Sequence, residues 1–183
     1  MATKTEKDLW VEMSIIEIST QADFAKIAFS NIDPKAVSNN RAVFSSIHSF
    51  LSHCAIISKM LKAVDDSIPP KSIGDVLGVS AQSIVHKRKF RNCLEHYNDE
   101  LKTWIKKYGT NAVIGLNNIG PKSALQIPGM VYVSHYDDSM QTFTFVNEDF
   151  NLGIMMSEVE KIKNIADGWL NDIRSRKINP PFI

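Results

Sequence analysis

The strongest constraint on the fold is a seam of apolar residues that recurs at alternating steps of four and three. The seam consists of Val43, Ile47, Phe50, Cys54, Ile57 and Leu61. Because side chains three and four positions apart share one face of an α-helix, this spacing predicts a long helix buried along one side. The remaining sequence must then supply elements that cover this face.

Two further helices are predicted before and after this seam. Residues from about Glu6 to Asn31 are mostly helix formers, and Asp33-Pro34 ends the run. After the seam, a third helix is predicted by a stripe of apolar residues that all fall within roughly 60° of Phe90 on a helical wheel. The stripe consists of Phe90, Leu94, Tyr97, Leu101, Trp104, Ile105 and Tyr108.

A last helix is predicted near the carboxyl end of the chain. The stretch from Ser157 to Glu160 has the form of a capping box, which is typical of a helix start. Apolar residues at helical spacing then continue until Asn179, where two prolines follow.

The region before this last helix has a different composition. Glycine, asparagine and proline are frequent between Thr110 and Gly129, which predicts loops. From Val131 to Val146, β-branched and aromatic residues flank Asp137-Asp138-Ser139, the pattern of a β-hairpin. We therefore expect an all-α fold, an antiparallel four- to five-helix bundle in a single domain over residues 1–183. Residues 110–150 would form a loop and a small β-hairpin inserted before the last helix as an appendage.

Composition excludes several classes of function. With 21 Lys and Arg against 20 Asp and Glu, the net charge of +1 gives no overall attraction to nucleic acid or membrane, so binding must come from local clusters. No apolar run approaches the roughly 20 residues needed to span a bilayer, so we expect a cytoplasmic protein with no membrane partner. Cys54 and Cys93 form no CxxC motif, which argues against a disulfide framework or a zinc site. Neither GxGxxG nor a phosphate-binding loop occurs, so we expect no cofactor.

The clearest local cluster of charge is HKRKFRNCLEH, from His86 to His96. Lys87, Arg88 and Lys89 form a basic run on which a phosphate backbone could dock. On a continuous helix, Arg88, Asn92 and His96 would line one face at steps of four, facing away from the bundle, and Arg91 would flank them. A solvated helix face with ordinary polar residues is the alternative interpretation.

The residue types of this strip suit cleavage of RNA without a metal ion. Histidine can take a proton from a hydroxyl and return one to a leaving oxygen, and arginine holds phosphate through its planar fork. The attacking group would be the ribose 2′-OH, which DNA lacks. One histidine can hardly act as base and acid in a single step, so we expect a homodimer that brings two motif helices together.

Arg91-Asn92-Cys93-Leu94-Glu95-His96 resembles the signature of the HEPN superfamily, in which an arginine and a polar residue precede a histidine. The resemblance implies a dimeric, metal-independent endoribonuclease or RNA-binding protein, as in toxin-antitoxin or phage-defence systems, and an antitoxin or other protein partner. It further implies that Arg91 and His96 carry catalysis and that Asn92 orients or polarises the site.

Three alternatives stay open. Arg41 and His48 satisfy a looser form of the same pattern, without the polar second residue. The runner-up function is a non-catalytic helical protein-interaction module whose polar strip lies at an interface. A third reading is a small-ligand site built from hairpin aromatics, although such a cluster is more often core. The aromatics are Tyr132, Tyr136, Phe143 and Phe145.

Overall fold

The computed structural model describes residues 5–35, 40–64, 71–86, 96–109, 113–124, 130–146 and 148–178. Its α-helices are α1 (Glu6–Ser30), α2 (Asn40–Lys62), α3 (Ile73–Leu77), α4 (Tyr97–Tyr108) and α5 (Leu152–Ile178). Its strands are β1 (Val113–Gly115), β2 (Asn118–Ile119), β3 (Met130–Tyr132), β4 (Ser134–Asp137), β5 (Thr142–Phe145) and β6 (Glu148–Asn151). Short 3₁₀ turns occupy Ile84–His86 and Lys122–Ala124.

Helices α1 and α2 form the central pair. Helix α1 begins with a capping box in which the Thr5 hydroxyl accepts from the Asp8 N–H, and the Asp8 carboxylate accepts from the Thr5 N–H. The small residues Ala22, Ala25 and Ala28 on its buried face allow α2 to approach closely. The six residues of the predicted α2 seam are all buried, so the prediction of this helix and of its core face is confirmed.

Helix α5 also packs against α1, although it begins earlier than we predicted. Its first residue is Leu152, and the Asn151 side chain accepts a hydrogen bond from the Ile154 N–H at 2.8 Å. The predicted capping box at Ser157 is therefore wrong: the Ser157 hydroxyl instead donates back to the Gly153 carbonyl within the helix.

The sheet corrects our prediction of an all-α bundle with an appended hairpin. Strands β4 and β5 do form the predicted antiparallel hairpin, and β6 extends it on the far side of β5. On the near side of β4, β2 pairs with it in parallel, which gives a four-stranded sheet of order β2-β4-β5-β6. Strands β1 and β3 pair in parallel as a separate two-stranded sheet. The segment that we predicted as loops thus supplies strands β1 and β2.

The sheet belongs to the hydrophobic core. Its inner row crosses neighbouring strands in the order Tyr136, Phe143 and Phe150 and packs with α2 and α5 residues in one apolar cluster. The ring centroids of Phe44 in α2 and Phe143 in β5 are 6.0 Å apart. Helices dominate the described chain, but the prediction of an all-α fold is wrong. The sheet is part of the fold because its aromatic residues cover α2.

Within the described ranges, no helix is both long and apolar enough to cross a membrane.

Candidate functional site

Most of the predicted strip falls outside the described residues. Lys87, Arg88, Lys89, Arg91 and Asn92 all lie there. The structure fixes the two ends of the segment, His86 and His96. These ends show how the basic run is attached to the domain.

The first end is held against the core. His86 closes the 3₁₀ turn Ile84–His86, which packs against α2 and α5. Its Nδ1 lies 3.3 Å from the Ser58 hydroxyl of α2. Burial, and then the charge of nearby Lys62, lowers the pKa of His86. The described turn that precedes the basic run is therefore held against α2 and α5.

The second end, His96, is the N-cap of α4. Its backbone angles are φ −119° and ψ 32°, and its exposed side chain makes no capping hydrogen bond. A helix that continues through His96 is therefore absent, and our prediction of one motif helix running on to Tyr108 is wrong at this residue. His96 precedes the first turn of α4, and Asn92 lies outside the described residues.

Helix α4 adds more positive charge beyond His96. Lys102, Lys106 and Lys107 are exposed. Lys102 lies 3.7 Å from the Asp99 carboxylate, and the Lys107 ammonium lies 5.1 Å from the centre of the Tyr108 ring. Exposed contacts of this kind are weak, so these lysines can also bind an external anion.

The looser match at Arg41 and His48 does not form a site. Arg41 is exposed near the start of α2, whereas the His48 ring packs edge-on against Phe143 at 5.9 Å. Burial lowers the pKa of His48, which favours the neutral ring. This histidine contributes to the core.

A histidine network that sequence reasoning missed joins α1 to α2. His53 Nδ1 lies 2.7 Å from Gln21 Oε1, and Gln21 Nε2 donates to Glu17 Oε1 at 2.8 Å. A carboxylate can only accept, so the amide nitrogen of Gln21 must face Glu17 and its oxygen must face His53. His53 Nδ1 therefore carries the proton, and its Nε2 is left to accept from the Ser49 hydroxyl at 3.4 Å.

This network lies beside an open groove of about 300 Å³ between α1 and α2. The groove is lined by Phe24, Ile27, Ala28, Asn31, Ser45, Ser46, Ser49 and His53. Ser49 and His53 are both inside α2, where backbone N–H groups are bonded along the helix. The local geometry thus offers Ser49 no free N–H pair of the kind that holds an oxyanion in acyl transfer. The network orients His53 and fastens α1 to α2.

A second polar cluster lies on the face of the sheet opposite Tyr136, Phe143 and Phe150. Asn118, His135, Thr144 and Asp149 are register neighbours across β2, β4, β5 and β6. Asp149 accepts from the Lys122 ammonium at 2.7 Å and from the Thr144 hydroxyl at 2.6 Å. Burial opposes ionisation of Asp149, but these hydrogen bonds outweigh it and lower its pKa.

His135 is the most buried member of this row, with no exposed surface. Burial is the main cause of its lowered pKa, and the charge of Lys122 adds to it. The Tyr132 ring lies against the imidazole at a tilt of 39°, with ring centroids 4.4 Å apart. Of the four hairpin aromatics, Tyr136, Phe143 and Phe145 are buried in the core, and Tyr132 contacts His135. These aromatics therefore do not form a small-ligand site.

No group of three or more His, Cys, Asp or Glu residues in the described ranges is arranged to hold a metal ion.

Comparisons with known proteins add no family. No family model matches the chain, and neither a curated protein nor a solved structure is significantly similar to it.

Proposed function

We propose that this chain binds RNA along residues 86–109 and cleaves it without a metal ion, as a cytoplasmic, HEPN-like ribonuclease whose homodimer supplies Arg91 and His96 from both copies. Residues 86–109 are called the basic segment below. The proposal rests on the local charge of this segment, on the exposure of His96, and on the resemblance of Arg91 to His96 to the HEPN signature.

The charge of the basic segment is the observation that carries the proposal. Between His86 and Gly109 there are seven Lys and Arg residues against three Asp and Glu, a net charge of +4. The whole chain has a net charge of only +1, so the remainder is negative. Such a concentration of positive charge attracts a phosphate backbone, and the negative remainder of the chain disfavours binding elsewhere.

His96 is suited to proton transfer because its side chain is exposed. As the N-cap it could have accepted a hydrogen bond from the first turn of α4, but it makes none. Its exposed imidazole can therefore approach a ribose hydroxyl or a leaving oxygen.

Binding is tested with a fluorescein-labelled single-stranded RNA and the triple variant K87A/R88A/K89A, by anisotropy at several salt concentrations. Each phosphate contact contributes about 0.7 to the slope of log Kd against log salt, so the variant should lose a slope of about 2. The matched control is K26A/K35A/K161A, which removes three exposed charges from elsewhere. Equal weakening by both triple variants, or no salt-dependent binding by the wild type, would contradict the proposal.

Cleavage is tested separately with the same RNA in EDTA. We expect the wild type to cut, and His96→Ala and Arg91→Ala to lose most of the cutting while they still bind. A substrate with a 2′-deoxyribose at the cleaved position should resist. Cutting retained by His96→Ala would mean that another group, or a contaminant, performs the reaction.

A further inference from the structure

Helix α1 carries apolar residues on two opposite faces. Its inner face, with Ile15, Ile18 and Ala22, is buried against α2 and α5. Most surface helices have one apolar stripe and one polar face. The second apolar face of α1 therefore needs its own explanation.

The outer face has exposed apolar residues near both ends of the helix, and between them Ile16 and Thr20 line a groove beside α5. Leu9, Met13, Phe24 and Ile27 are 50%, 55%, 44% and 58% exposed. Half-buried Ile16 and Thr20 lie between them on the same side of the helical wheel. At 1.5 Å per residue the row from Leu9 to Ile27 extends for about 27 Å. Scattered exposed apolar residues are ordinary, but an aligned row of this length marks an interaction surface.

The spacing of the row is nearly symmetric about residue 18. In an antiparallel pair of such helices, Leu9 would face Ile27 of the second copy, and Met13 would face Phe24. Ile16 and Thr20 would meet near the axis. A twofold interface requires a surface that is complementary to itself, and this row meets that requirement.

We propose that a second copy of this chain covers the outer face of α1, through antiparallel α1–α1 packing. The inference rests on the placement of these side chains and is independent of RNA binding.

The groove between α1 and α2 supports this occupant. In an antiparallel pair, the twofold axis is perpendicular to both helices, so the flank of α1 that carries the groove lies on the same side in both copies. The amino-terminal half of one α1 therefore faces the α1–α2 groove of the second copy. Leu9 and the partly exposed Trp10 are on the flank that would meet Phe24, Ile27 and His53. Leu9 and Trp10 thus protrude at one end of the outer face of α1, and the α1–α2 groove that could receive them from a second copy lies at the other end.

The exposed area suits a dimer of moderate affinity. Leu9, Trp10, Met13, Phe24 and Ile27 together expose on the order of 500 Å² of side chain, at the upper end of the largest apolar patch on a typical monomer. A standard interface buries about 800 Å² on each partner, and the polar rim of the groove can supply the rest.

Association is tested on the full chain by sedimentation velocity over a range of concentrations. We expect a concentration-dependent dimer, and we expect M13D/I27D to raise its Kd by about a hundredfold or more, because two unpaired charges per copy enter an apolar contact. The control I154D/I165D replaces two α5 residues of comparable exposure and should leave Kd unchanged. Circular dichroism confirms that each variant is folded.

The register is tested by cross-linking. A Leu9→Cys/Ile27→Cys variant, in a Cys93→Ser background, should form an intermolecular disulfide, whereas Leu9→Cys/Ile154→Cys should not. Buried Cys54 does not interfere. A monomer at every concentration, or equal weakening of the dimer by both aspartate pairs, would overturn the proposal. RNA binding by the monomer would leave the proposed RNA binding intact.

Discussion

Phe143→Ala tests whether the sheet and the helices share one core. Phe143 is 1% exposed, and its ring lies about 6 Å from the rings of Phe44, His48 and Phe145. Removing a fully buried phenylalanine destabilises by about 3–5 kcal/mol, from lost transfer energy and the cavity left behind. Phe143 lies in β5 and contacts Phe44 and His48 of α2, so it joins the sheet to the helices, and we expect a loss of about 4 kcal/mol.

The assay is urea unfolding followed by far-ultraviolet circular dichroism, which reports the helices. With a slope of about 2 kcal/mol/M, the midpoint should fall by about 2 M. Met140→Ala is the matched control, because Met140 is 64% exposed in the turn of the same hairpin and should change stability by about 0.5 kcal/mol or less. If the helical midpoint stays at its wild-type value in Phe143→Ala, the sheet is a separate unit and the shared core is refuted.

Three further changes have defined outcomes. Burial lowers the pKa values of His48, His53, His86 and His135 below 6.5 in the folded protein. The unfolded chain therefore takes up protons first as the pH falls, and the free energy of unfolding should decrease below about pH 6.5. Denaturation at pH 5, 6 and 7 measures this slope, and His135→Gln should make it shallower; a flat profile contradicts the burial of these rings. Thr5→Ala removes the α1 capping box and should cost about 1 kcal/mol in the same assay, and no change would mean that the first turn is frayed. Glu17 lies near the proposed twofold axis, so Glu17→Gln should tighten the dimer several-fold in sedimentation, whereas weaker association would place the axis elsewhere.

Helix α2 could be predicted fully because its pattern is one-sided. All six seam residues lie on one buried side of the helix, and the hydrophobic spacing alone identifies that side. Helix α1 could be predicted as a helix from composition, but its two apolar faces hid which side packs inward. Only the structure shows that Ile15 and Ile18 are buried whereas Leu9 and Met13 are exposed.

The sheet was underestimated because its strands are short. Strands β1 and β2 have three and two residues, too few to show an alternating pattern among glycines and asparagines. Their pairing with β3 and β4 is parallel and joins residues 17 positions apart. Local sequence signals cannot report such a pairing, because it depends on where the intervening chain returns.

The motif helix was extended too far because a helical wheel does not locate a helix start. Asp99 and Glu100 lie in the first turn of α4, where negative charge favours the helix dipole, and this signal marked the true beginning. Gly109, with φ 63°, ends the helix where the composition changes. The Gln21–His53 contact was inaccessible to sequence reasoning because it needs α1 and α2 side by side.

The most direct test of the account is the salt dependence of RNA affinity for the wild type and for K87A/R88A/K89A. The basic segment predicts a steep slope for the wild type that becomes shallower by about 2 in this variant, with K26A/K35A/K161A unchanged. A wild-type protein that binds RNA with no salt dependence, or does not bind it, would contradict the central claim.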